Sequence, residues 1–247
     1  MGVTIVTAPR IVSWAMTHPG MKRDHNEDAL VNRPDLGLWA VADGAGGHSA
    51  GEVASGKIAE ALEAIPPGLS ASELLAEVRL RIAATHEELR EEAARRGENV
   101  MIASTIVVMM ARNDHFACLW AGDSRAYLLR GGELQQITRD HSLVQEMVDA
   151  GLVRPEDAES HPRANVITRA VGATMDSAFE MDKISDRLLP GDRFLLCSDG
   201  LCKTLPAHEI ATLLAANDGV PPPEALIAAA LAANASDNVT AVTVEVK

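Results

Sequence analysis

Four aspartates in this chain share one local grammar. Each stands where an apolar, strand-like run meets a turn residue. The runs are Leu38-Trp39-Ala40-Val41-Ala42-Asp43-Gly44, Leu119-Trp120-Ala121-Gly122-Asp123-Ser124, Phe194-Leu195-Leu196-Cys197-Ser198-Asp199-Gly200 and Ser236-Asp237-Asn238-Val239. Asp-Gly is an ordinary turn pair, so one such aspartate says little. Four say more, because strands lying side by side would gather their carboxylates. Like charges within a few ångströms raise one another's pKa and destabilise a fold unless cations sit among them. An all-oxygen set without Cys or His suits Mg²⁺ or Mn²⁺. A fifth acidic feature, Arg23-Asp24-His25-Asn26-Glu27-Asp28, follows Pro19-Gly20. It reads either as a polar surface loop or as further site chemistry. In the second reading Glu27 or Asp28 completes a metal shell and Arg23 offers a forked donor to phosphate. Together these residues point to two-metal hydrolysis. Two divalent ions roughly 3.5–4 Å apart lower the pKa of a shared water and clamp the oxygens of an in-line displacement. No GxSxG elbow and no GxxxxGK[ST] loop occurs, which disfavours serine hydrolases and P-loop phosphoryl transfer.

The elements that must hold these residues are legible as short strands and a few long helices. Strands are expected at Arg10 to Ala15, Gly37 to Ala42, Ser104 to Met110, His115 to Ala121, Ala126 to Arg130, Arg193 to Cys197 and Asn238 to Val246. The last alternates, with Val239, Ala241, Thr243 and Glu245 on one face and Thr240, Val242, Val244 and Val246 on the other. Gly131-Gly132 is a two-residue hairpin signal. Ser49 to Glu52 and Ser70 to Glu73 are capping boxes. The first opens a stripe of Ala54, Ile58, Ala61, Leu62 and Ile65; the second a face of Leu75, Val78, Ile82 and Leu89. Two more helices are expected at Pro206 to Ala216 and Pro223 to Asn234. Helices that cluster rather than alternate with strands argue for α+β with antiparallel sheets, a doubly wound parallel sheet being the alternative. No repeat or low-complexity linker divides residues 1–247, so one domain is expected.

Composition narrows the function classes. The 247 residues carry 22 Lys+Arg against 35 Asp+Glu, a net charge of −13, which leaves no basic excess for nucleic acid or an anionic membrane surface. The three cysteines, Cys118, Cys197 and Cys202, form no CxxC pair and read as buried free thiols in a reducing compartment. Uncharged stretches such as Val100 to Ala111 fall short of the roughly 18 residues that span a bilayer. No basic segment precedes an apolar core at the N-terminus, and Val6 sits where N-myristoylation wants Ser or Thr. A cytoplasmic protein is expected.

Eight short segments carry a family resemblance, in order along nearly the whole chain. They are Arg23 to Ala29, Val41-Ala42-Asp43-Gly44-Ala45-Gly46-Gly47-His48, Gly122-Asp123-Ser124-Arg125, Thr138-Arg139-Asp140-His141-Ser142, Thr168-Arg169-Ala170-Val171-Gly172, Gly191-Asp192, Ser198-Asp199-Gly200-Leu201 and Asp237-Asn238-Val239-Thr240. The sequence resembles the metal-dependent PP2C-type (PPM) serine/threonine phosphatases in their compact bacterial form. The resemblance implies a four-layer α-β-β-α sandwich of two antiparallel sheets flanked by helices, with two Mn²⁺ or Mg²⁺ ions at one end. It implies that Asp43 bridges both metals, that the Gly44 carbonyl binds one, that Asp199 and Asp237 bind the other, and that Glu27 acts through water with Asp28 in support. Arg23 would hold the substrate phosphate. Asp123 with Asp199 would form a third, weaker metal site. Ser142 to Asn165 matches the flap beside the active site, although Leu143, Met147 and Val148 suit an ordinary packed helix equally. His48, in a Gly-rich turn before a capped helix, is either the candidate general acid or a residue that only orders that loop, with His25, His141 and His161 behind it. Ala45 and Cys202 depart from residues common in the family, Met and an aromatic respectively.

The function so implied is hydrolysis of phosphoserine and phosphothreonine in proteins, opposing a separate serine/threonine kinase, as a monomer. A role in type VI secretion is one expectation, since short stand-alone members accompany those loci. A catalytically silent binding protein and a phosphoesterase for small molecules or nucleic acid are the alternatives. The complete metal set speaks against the first and the net charge against a nucleic-acid substrate. Arg23 also speaks against the sigma-factor branch, whose members usually lack it.

Overall fold

The computed structural model describes residues 10–46, 50–97, 100–173 and 179–247. Strands β1 (Ile11–His18), β2 (Asp28–Arg33) and β3 (Leu38–Ala45) lead into helices α1 (Ala50–Glu63) and α2 (Ala71–Arg96). Then come β4 (Ala103–Ser104), β5 (Ile106–Arg112), β6 (His115–Ala121), β7 (Arg125–Arg130) and β8 (Glu133–Gln136). The short helix α3 (Leu143–Asp149) and a 3₁₀ turn at Pro155–Asp157 follow. The chain closes with β9 (Asp182–Arg187), β10 (Arg193–Cys197), α4 (Asp199–Cys202), α5 (Ala207–Ala215), α6 (Pro222–Ala232) and β11 (Val239–Val246). One sheet has the order β1-β11-β10-β7-β8 and the other β2-β3-β5-β6-β9, with β4 on β3. Every strand pairing is antiparallel, so the fold is α+β and the doubly wound alternative is excluded.

The layers follow from the period of two along each strand. In β3, Trp39 and Val41 point between the sheets while Leu38, Ala40 and Ala42 point to α1 and α2. In β10, Phe194 and Leu196 face inward between the sheets, and Leu195 and Cys197 face α4, α5 and α6. The face of β11 carrying Val242, Val244 and Val246 joins the inter-sheet core, while Val239 and Ala241 meet the helices. Strands buried on both faces need apolar residues at successive positions, which is why β3, β5 and β10 read as continuous runs. The result is a helix–sheet–sheet–helix stack with three apolar layers.

Most expected elements are present. The β7–β8 hairpin turns at Gly131 and Gly132, with φ of 61° and 87°, the backbone a two-residue turn of this hand requires. The Ser70 capping box forms, with Ser70 N–H donating to Glu73 Oε2 at 2.8 Å and Glu73 N–H to Ser70 Oγ at 3.3 Å. Its helix buries Leu74 rather than Leu75, together with Val78, Ile82 and Leu89, and continues to Arg96. The capping residue expected at Ser49 lies outside the described residues. Strands β2 and β9 were not expected. Strand β2 lacks alternation, and β9 is polar and exposed along its whole length; cross-strand pairing with β3 and β6 fixes them.

Candidate metal centre

The strand registers bring the carboxylates to one end of the sandwich. Asp28 at the start of β2 pairs directly with Asp43 near the end of β3. Asp123 lies in the Gly122-Asp123-Ser124 crossing from β6 in one sheet to β7 in the other. Asp199 follows β10 by two residues, and Asp237 precedes β11 by two. Because β10 pairs with both β7 and β11, Cys197 opposing Arg125 and Ala241, these ends lie together. The expectation that Asp43, Asp123, Asp199 and Asp237 share a rim is therefore met by topology.

Backbone packing holds the rim tightly. Gly44 admits no side chain, since a Cβ there would lie 2.1 Å from the Gly51 carbonyl oxygen at the start of α1. A Cβ on Gly200 would lie 2.0 Å from the Asn238 carbonyl oxygen, so α4 begins hard against the Asp237 turn. Asn238 ties that turn to the Arg23 loop. Its Nδ2 donates to the carbonyls of Pro19 and His25, each at 2.9 Å, and its Oδ1 accepts from the Glu27 N–H at 2.8 Å. Gly44 N–H in turn donates to the Glu27 carbonyl at 3.1 Å. The segment from Arg23 to Asp28 is thus a built part of the rim, not a free surface loop.

Electrostatics mark the same place. Asp28 is buried; its Oδ2 accepts from Thr240 Oγ1 at 2.6 Å and Ser198 Oγ at 2.8 Å, while its Oδ1 has no hydrogen-bond partner. Burial pushes its pKa up to about 7, the two hydroxyls oppose the rise, and the charges of Asp199 and Asp237 add to it. Asp43 is held well above the carboxylate range, first by burial and then by Asp28, Asp199, Asp123 and Asp237. An unpartnered buried carboxylate oxygen on Asp28, beside the carboxylates of Asp43, Asp199 and Asp237, calls for protons or cations. The donor set, all carboxylate and carbonyl oxygen, fits hard divalent ions. As the side chains are placed, no three of them among the described residues stand together tightly enough to enclose an ion.

Two protein cations meet part of this charge. Arg23 Nη2 lies 2.9 Å from Asp237 Oδ2, and Glu27 and Asp43 also act on its guanidinium. Lys203 Nζ donates to Asp199 Oδ2 at 2.8 Å and Asp123 Oδ2 at 2.9 Å. Lys203, Asn238, Ser198 and Thr240 carried no role in the sequence reading. Lys203 had one signal: it stands four residues after Asp199, on the same helical face. Thr105 is another supporting residue, its Oγ1 accepting from Asp43 N–H at 3.2 Å and pairing with Ser124 Oγ at 2.7 Å.

The histidines divide. His48 lies outside the described residues. His141 accepts the Gly122 N–H on Nδ1 at 3.2 Å and so orders the loop that carries Asp123. His161 accepts from Arg163 N–H on Nδ1 at 3.2 Å. In the 142–165 segment, Ser142 caps α3 and Val144 is its buried residue, with Leu143, Met147 and Val148 half-buried. The segment is pinned at Glu159, 2.8 Å from Arg125, and at Asn165, 3.0 Å from Lys203. All three cysteines are buried and free, and Cys202 packs in the core beneath α4 to α6. No helix among the described residues is long and apolar enough to cross a membrane.

Comparison with known proteins agrees with this geometry. The family described as Protein phosphatase 2C matches residues 21–220. The serine/threonine protein phosphatase PstP of Mycobacterium tuberculosis is 34% identical over 233 residues, covering 94% of this chain. The chain spans 44% of that relative's length. Among solved structures, PppA of Pseudomonas aeruginosa, described as a key regulatory component of T6SS, superposes with a TM-score of 0.89 at 42% identity, over 97% of this chain and 99% of that one. The catalytic domain of PstP, solved in complex with two manganese ions, superposes with a TM-score of 0.81 at 34% identity, over 97% and 99% of the two chains. The ordered motifs, the antiparallel sandwich and these likenesses together show that the chain belongs to the protein phosphatase 2C family.

Proposed function

We propose that this chain is a bacterial metal-dependent protein phosphatase that hydrolyses phosphoserine and phosphothreonine, opposing a serine/threonine kinase. The observation that carries this reading is the gathering of Asp28, Asp43, Asp123, Asp199 and Asp237, each drawn from a different strand end, beside one forked cation, Arg23. Asp43 and the Gly44 carbonyl, with Asp199, Asp237 and, through water, Glu27, would hold two Mn²⁺ or Mg²⁺ ions. When bound, such a pair supplies Lewis acidity and brings a water's pKa toward neutrality. Arg23, on a half-exposed loop, orients the phosphate through its planar donors and offsets charge on the transferred group. Asp28, fixed by Ser198 and Thr240, buttresses Asp43 across the β2–β3 register, and Asn238 keeps the Arg23 loop against the rim. These are positioning roles, and they hold the site within the narrow tolerance that catalysis demands.

The reading also takes residues 1–247 as one phosphatase domain, with 142–165 as a flap beside the site, working as a cytoplasmic monomer. Three buried free thiols suit a reducing compartment. The likeness to PppA supports a role in control of type VI secretion. The test compares a phosphothreonine peptide with a nucleoside monophosphate, each with Mn²⁺ and with EDTA. Metal-dependent turnover of the peptide and little of the nucleotide is expected. The reverse preference would reassign the protein to small-molecule phosphoesters, and no turnover of either would favour a binding role.

A further inference from the structure

We propose that Lys203 stands in for a third divalent cation, so that the protein works with two ions and uses its own ammonium to join Asp123, Asp199 and the flap. The inference rests on the phosphatase reading. An ammonium has three N–H donors and no acceptor. Lys203 Nζ has three acceptors: Asp199 Oδ2 at 2.8 Å, Asp123 Oδ2 at 2.9 Å and Asn165 Oδ1 at 3.0 Å. The group is therefore saturated.

Its position is forced by the chain. Helix α4 begins at Asp199, and Lys203 one turn later returns to the same face. The Asp123 side chain is 3% exposed and that of Lys203 21%. An ion gripping both Asp123 and Asp199 would have to expel the lysine from between them. The expelled charge would remain tethered one helical turn away and repel the incoming cation. Asp123 is thus the lysine's counter-ion rather than a metal ligand. Asp199 gives one oxygen to Lys203, and its Oδ1 has no protein hydrogen bond among the described residues, so that it can serve a core ion. Asn165 closes the 142–165 segment, which is also held by Glu159 on Arg125 and by Asp149 on Arg139. Lys203 is in this way a positioning residue that orients a core carboxylate and ties the flap to the rim.

The test counts Mn²⁺ bound per chain, by calorimetry and by the paramagnetic resonance of free Mn²⁺ up to millimolar ion, in wild type, Lys203→Met and Asp123→Asn. Hydrogen exchange of residues 142–165 is read alongside. Two ions are expected in wild type and two in Asp123→Asn. Lys203→Met, which leaves two carboxylates without their counter-charge, is expected to take up a third ion and to exchange faster around Asn165. Three ions in wild type falling to two in Asp123→Asn would overturn the inference and leave the phosphatase reading standing. A Lys203→Met protein that folds and still stops at two would overturn it as well. Should that variant not fold, the wild-type and Asp123→Asn counts decide alone. No ion bound by wild type would overturn the phosphatase reading and this inference with it, an outcome distinct from a count of three.

Discussion

Asp28 shows how one buried residue sets the character of the rim. With Oδ2 satisfied by Ser198 and Thr240 and Oδ1 unpartnered, its carboxyl favours a proton up to about pH 7 in the folded, ion-free protein. The sign follows from linkage. The folded pKa is raised above the unfolded value, so the stabilising contribution is whole at acid pH and is lost as pH rises through about 7. The Tm of EDTA-treated protein should therefore fall between about pH 4 and pH 7, and Asp28→Asn should flatten that fall. Added Mn²⁺ should raise Tm most at the alkaline end, where it competes with fewer protons. Scanning calorimetry across pH, with and without Mn²⁺, checks both signs; a Tm that climbs with pH in EDTA would contradict them. The hydroxyls matter through Asp28. Removing both, in Ser198→Ala/Thr240→Val, should weaken Mn²⁺ binding by about 10–100-fold, as loss of groups that orient metal ligands does. The aspartates were legible because each stands where an apolar run meets a turn residue. Ser198 and Thr240 were visible only as letters of a motif, because their partner Asp28 lies 170 and 212 residues away along the chain and meets them through the fold.

At the scale of elements, strand ends and helix starts press together with no spare volume. Gly200→Ala should destabilise by about 1–3 kcal/mol, because its Cβ would collide with the Asn238 carbonyl rather than with a side chain that can move. It should also weaken Mn²⁺ binding, since the displaced turn carries Asp237. Ser70→Ala provides the contrast. Loss of the reciprocal cap of α2 should cost about 0.5–2 kcal/mol in urea denaturation and leave turnover unchanged. A matching loss of activity would show that α2 does more than cover a sheet. Elements with strong local signals were legible: the Ser70 cap, the Gly131-Gly132 hairpin, the alternation of β11. Strand β9 was not, because Asp182–Arg187 carries no apolar face. It is held instead by its register with β6 and by ion pairs of Arg169 with Asp182 and of Arg187 with Asp114. Helix α4 was missed because four residues are too few for a periodicity to register.

For the whole molecule, an acidic rim on a chain of net charge −13 is a structural liability unless a ligand offsets it. The sandwich below the rim packs three apolar layers, so the strand ends that carry the carboxylates cannot spread apart without disturbing the core. The architecture was legible as α+β from the clustering of helices, and as this particular sandwich only through the ordered motifs. Which loops meet at the rim was not written in any local pattern, because pairings such as Cys197 with Arg125 and Ala241 are decided by long-range register. The central claim is that this rim, loaded with metal, cleaves phosphate from phosphoserine and phosphothreonine. The most direct measurement is hydrolysis of a phosphothreonine peptide by wild type and Asp199→Asn at saturating Mn²⁺. Wild type should turn over in Mn²⁺ and not in EDTA, and the substitution should lower kcat by about 10²–10³-fold with the fold intact by circular dichroism. Undiminished turnover in Asp199→Asn would contradict the account.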